Sequence, residues 1–126
     1  MSPLSVAIDS NLLLLLVVGM ASRDYISKHK RLRAFTPDDY DLLKEQLSVA
    51  TEIVVTPNTL TETSNLIDHI DNPARSHIYG TLRQLLELPG AIETYVASRE
   101  ASARNALPRL GLTDCCLLEI CAGERR

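Results

Sequence analysis

Short apolar runs alternate along the chain with longer stretches whose apolar residues recur at helical spacing, and this alternation predicts an α/β fold. Residues 4–8 read as a first buried strand. A helix follows through the leucines to about Ala21, with Ser10 or Asn11 able to cap it, which puts Asp9 at the strand's carboxyl end. Thr36-Pro37-Asp38-Asp39 is a strong helix start, with Thr36 as N-cap, Pro37 at the first helical position and two acids facing the positive end of the dipole. That helix should reach about Val49. Residues 53–55 form a second strand, and Thr56-Pro57 repeats the start signal for a helix to about Ile70, with Glu62 in its second turn. Asn72-Pro73 opens a further helix that Pro89-Gly90 closes, and residues 92–96 give a third strand. Ser98 caps a helix that Pro108 ends, and Gly111 breaks the chain before Thr113 starts a final helix. The predicted order is β-α-α-β-α-α-β-α-α.

Composition narrows what such a fold can do. A chain of 126 residues that is 45% apolar is sized for one domain spanning residues 1–126. Aromatic residues make up 4%, with no Trp and one Phe, so aliphatic side chains must fill the core and few rings remain to stack on exposed bases. The net charge of -3 means that any nucleic-acid contact must be local. Its best candidate is the segment 23–33, where Lys28, Lys30, Arg31 and Arg33, with Arg23 and His29, face the single acid Asp24. Phosphate contact and an ordinary solvated face are the two readings of that run.

Other segments mainly exclude functions. Cys115, Cys116 and Cys121 lack the paired spacing of a zinc or redox site and read as small buried residues of a reducing compartment. The run from Leu12 to Val18 is far shorter than the roughly 20 residues that cross a bilayer. Asp9 interrupts the N-terminal apolar stretch and no basic start precedes it, so it does not read as a signal peptide, and cytoplasmic residence is the expectation.

The chemistry-bearing residues are acids. In an open parallel sheet, sites form beyond the carboxyl ends of the strands. Asp9 follows the first strand, Glu62 lies on the helix after the second, and Asp114 starts a helix beyond the third. Carboxylate oxygens suit Mg²⁺ or Mn²⁺, which could hold a water for attack on a phosphodiester and neutralise developing charge. Each acid also has a plainer reading. Asp9 could cap the first helix, although Ser10 and Asn11 offer the same; Glu62 follows Thr59 at capping-box spacing, although Thr56-Pro57 starts that helix earlier. Asp114 sits in a first turn where any acid is favoured.

The stretches Val6-Ala7-Ile8-Asp9-Ser10-Asn11, Thr56-Pro57-Asn58-Thr59-Leu60-Thr61-Glu62 and Gly111-Leu112-Thr113-Asp114 resemble the first three acidic motifs of the PIN-domain family, in the same order. The resemblance implies a three-layer α/β/α sandwich with a central parallel sheet, a Mg²⁺ or Mn²⁺ site on Asp9, Glu62 and Asp114 supported by Ser10, Asn11 and Thr113, and endoribonuclease activity. Many bacterial members are toxins held by an antitoxin and commonly form homodimers. In the family a further strand follows the third acid and ends in another Asp or Asn, whereas here the sequence ends at Arg126, twelve residues after Asp114. A domain lacking its C-terminal strands is therefore the expectation. From Leu112 to Cys121 only Thr113, Asp114 and Glu119 are polar, so the final helix should be covered on more than one side. A catalytically impaired PIN-like scaffold acting as an interaction module is the alternative function. An aspartate-based phosphatase would need a second acid two residues after Asp9, where Asn11 stands.

Overall fold

The computed structural model describes residues 5–97 together with residues 99, 100 and 103. Three parallel strands, β1 (Ser5–Ala7), β2 (Glu52–Val55) and β3 (Ala91–Glu93), lie side by side in that order. Val6 is paired with Ile53 and Val54 with Ile92. The ladder runs slightly past the strand ends: Ile8 N–H donates to the Val54 carbonyl at 3.2 Å, and Thr94 N–H to that of Val55 at 2.8 Å. Strands this short cannot close a hydrophobic core themselves, so the connecting helices supply it.

Among the described residues four α-helices do so: α1 (Ser10–Ala21), α2 (Pro37–Leu47), α3 (Pro57–Ile67) and α4 (Ala74–Leu86). Helix α1 is apolar around its circumference, and Leu13 to Gly19 are all buried, as an all-round apolar helix must be. It packs against α2, α3 and α4 and forms the centre of the core. Gly19 lies against the Tyr40 ring of α2, which a Cβ at that position would overlap. The other helices bury one face each. Helix α2 buries only Tyr40 and Leu43 and starts with a complete capping box between Thr36 and Asp39.

The predicted order holds through β3, with changes at the ends of elements. Helix α2 stops at Leu47 rather than near Val49, with Ser48 at its C-cap donating its N–H to the Lys44 and Glu45 carbonyls and its hydroxyl to that of Glu45 at 2.5 Å. Helix α3 stops at Ile67 rather than near Ile70, with Asp68 at its C-cap held by the Tyr79 hydroxyl at 2.6 Å. Asn72 anchors the start of α4 by accepting from Ser76 N–H at 3.0 Å. The first strand is half-buried rather than buried, and β3 spans 91–93 rather than 92–96. The segment between α1 and α2 forms two short 3₁₀ helices, Arg23–Lys28 and Lys30–Leu32. Ser98, Pro108, Gly111, the three cysteines and the final helix predicted from Thr113 lie outside the described residues. Among the described residues no helix is long and apolar enough to cross a membrane.

Candidate carboxylate site

Parallel pairing of β1 with β2 brings the starts of α1 and α3 to the same end of the sheet. Asp9 stands at the first of these starts, with φ -80° and ψ 169°. Its Oδ1 accepts the Leu12 N–H at 2.8 Å, and its carbonyl accepts the Leu13 N–H at 2.9 Å. Asp9 is therefore the N-cap, which corrects the expectation that Ser10 or Asn11 fills that role. An N-cap needs extended backbone and a side-chain oxygen that reaches back to the first-turn amides. Ser10 is already helical, and Asn11 is exposed on the first turn.

The hydroxyl of Ser10 has a different role. Ser10 is buried, and its Oγ donates to Glu62 Oε1 at 2.5 Å across the two helices. Glu62 is free for that contact because Thr56, fully buried, caps α3 by accepting the Thr59 N–H at 3.0 Å. The capping-box spacing from Thr59 to Glu62 is thus incidental. Glu62 is exposed and lines an open hollow of about 370 Å³ with Pro57, Asn58, Thr61 and Asn65.

Two of the three predicted acids thus lie on adjoining helix starts, linked through Ser10. Each leaves one carboxylate oxygen, Asp9 Oδ2 and Glu62 Oε2, without a hydrogen bond among the described residues. Mg²⁺ typically takes only one or two carboxylates directly and keeps several waters. Asp114 and Thr113 lie outside the described residues. Among the described residues no group of three His, Cys, Asp or Glu side chains is disposed to hold a metal.

The basic candidates do not share this hollow. Arg23 is engaged by Asp41 through contacts of 2.8 and 3.1 Å. Lys28 and Lys30 line a separate cleft of about 560 Å³ with Tyr25, Asp68, His69 and Asp71, beyond the end of α3 remote from its cap. Arg31 and Arg33 are exposed. Opposite the lysines, Asp68 accepts from the Tyr79 hydroxyl, whose pKa is raised by burial and by that bond.

Sequence reasoning counted His29 among the exposed cations, whereas it is 1% exposed. Its Nδ1 accepts the Arg31 N–H at 3.1 Å, which places the proton of the neutral ring on Nε2, and Nε2 has no hydrogen-bond partner among the described residues. Burial lowers its pKa below 6.5; the nearby carbonyls of Ile67 and Leu66 oppose that shift, and His69 adds to it. Ile26 and Leu32, three residues to either side of His29, are buried with it, although His29 itself is the extended residue between the two 3₁₀ helices.

No protein-family model, curated protein or solved structure matches this chain.

Proposed function

We propose that the chain is a PIN-like, Mg²⁺- or Mn²⁺-dependent endoribonuclease, in which Asp9, Glu62 and Asp114 provide the metal's carboxylates. The observation that carries this reading is the Ser10–Glu62 hydrogen bond, which ties the helix start bearing Asp9 to the helix bearing Glu62. A buried serine donating to an exposed acid on another helix does nothing for capping, and it fixes which Glu62 oxygen has no hydrogen bond among the described residues. The Leu12 amide orients Asp9 in the same way. Such fixed oxygens cost little reorganisation when a cation binds. Bound there, the ion would supply an activated water and screen charge developing on the phosphodiester. The three-layer sandwich, an RNA substrate, an antitoxin partner, a homodimer and cytoplasmic residence belong to the same proposal.

Asp9→Asn tests it cleanly, because Asn also caps helices and the fold should persist while the charge is removed. Metal-dependent RNA cleavage that EDTA abolishes should be lost in Asp9→Asn; cleavage at the parent rate in that variant overturns the site. One observation favours the rival reading of a non-catalytic interaction scaffold: Asp9 already has a structural role as the cap of α1. A true site saturated at 100 times its dissociation constant should stabilise the fold by about 2.7 kcal/mol. A melting temperature that does not move with Mg²⁺ or Mn²⁺ supports the scaffold.

A further inference from the structure

The cleft between the first 3₁₀ helix and the segment after α3 has two lysines facing two aspartates, Asp68 and Asp71, so it has no net charge with which to select a ligand. Its wall nevertheless contains a titratable fastening. Lys28 and Lys30 project into the cleft on either side of His29, which is turned into the protein against the end of α3. His29 joins the two 3₁₀ helices by three bonds: its N–H donates to the Tyr25 carbonyl at 3.0 Å, its carbonyl accepts from Leu32 N–H at 3.1 Å, and its Nδ1 accepts from Arg31 N–H at 3.1 Å.

We infer that His29 is a pH-sensitive latch, whose protonation on Nδ1 breaks the bond to the Arg31 amide and releases the Lys28–Lys30 wall of the cleft from α3. The reason lies in the donor and acceptor roles. An amide N–H can only donate, so Nδ1 serves as cap only while unprotonated; protonated, it presents N–H to N–H. The added charge would also lie in a buried site, where the Ile67 and Leu66 carbonyls favour it but do not outweigh burial and Nε2 has no hydrogen bond among the described residues. The charged and titratable groups facing it are Arg31 on its own segment and His69 after α3, and both disfavour the cation. Across the cleft stand Asp68 and Asp71, and Tyr25 on the first 3₁₀ helix is hydrogen-bonded to His77 of α4 at 3.2 Å. Burial lowers the pKa of His29 in the closed form, so opening takes up a proton and is favoured by acid.

Hydrogen exchange at the Arg31 and Leu32 amides tests this in the full chain. The protection factor, corrected for the intrinsic pH dependence of exchange, should fall by up to about tenfold per pH unit below the unfolded histidine pKa. His29→Asn, which can cap but cannot titrate, should abolish the fall, and His69→Gln should leave it in place. A flat parent profile, or a fall that persists in His29→Asn, overturns the proposal. In the parent protein, imidazole nitrogen chemical shifts should show Nδ1 unprotonated in the closed form. Nδ1 protonated at neutral pH overturns it even where His29→Asn does not fold.

Discussion

Asp9 caps α1, and the proposed site gives it a second role that its two carboxylate oxygens would keep apart. Oδ1 is fixed by the Leu12 amide, and Oδ2, without a hydrogen bond among the described residues, is the oxygen the proposal gives to a cation. Stability and activity should therefore separate by substitution. Asp9→Ala should cost about 1 kcal/mol in urea denaturation by loss of the cap, whereas Asp9→Asn should stay within a few tenths of the parent. Gly19 gives a residue-scale test of the core. Ala is worth about 1 kcal/mol over Gly in a helix interior, but its methyl would meet the Tyr40 ring at 2.3 Å, far inside van der Waals contact. Overpacking typically costs about 1–3 kcal/mol, so Gly19→Ala should lower the denaturation midpoint rather than raise it.

At the scale of elements, start signals were legible wherever the relevant interactions were local. Thr36-Pro37 and Thr56-Pro57 both open helices where expected, because an N-cap and its amides lie within three residues of one another. Which residue caps α1 was not legible, because three consecutive polar residues, Asp9, Ser10 and Asn11, can each do it, and the structure gives the role to Asp9. A contact with Glu62, 52 residues away, decided what Ser10 does. Core and cap should differ in energy as well. Leu15→Ala, in the wholly buried part of α1, should cost about 2–5 kcal/mol, while Thr36→Ala at the exposed start of α2 should cost about 1 kcal/mol. Comparable losses in chemical denaturation would contradict α1 as the centre of the core.

For the whole molecule, His29 predicts an acid limb in stability. Its folded-state pKa lies below 6.5, so near and below that pH the unfolded chain binds more protons than the folded one. Stability should therefore fall as pH drops through about 6.5, and this contribution should level off below the folded-state pKa. Urea titrations at neutral and mildly acidic pH, repeated on His29→Asn, measure it; an undiminished decline in that variant would assign the limb to other groups. The same geometry separates two surfaces that the sequence left unlocated relative to each other. Glu62 faces a hollow near the start of α3, and Lys28 and Lys30 face a cleft past its end.

The sequence by itself determined the parallel α/β order through β3, the buried α1 and the helix starts, because periodicity and capping act over a few residues. The tertiary structure decided which acid caps, which hydroxyl reaches Glu62, and that a histidine in a basic run is buried. Those outcomes depend on packing between α1, α3 and the 3₁₀ segment, and so on contacts between residues far apart in the chain.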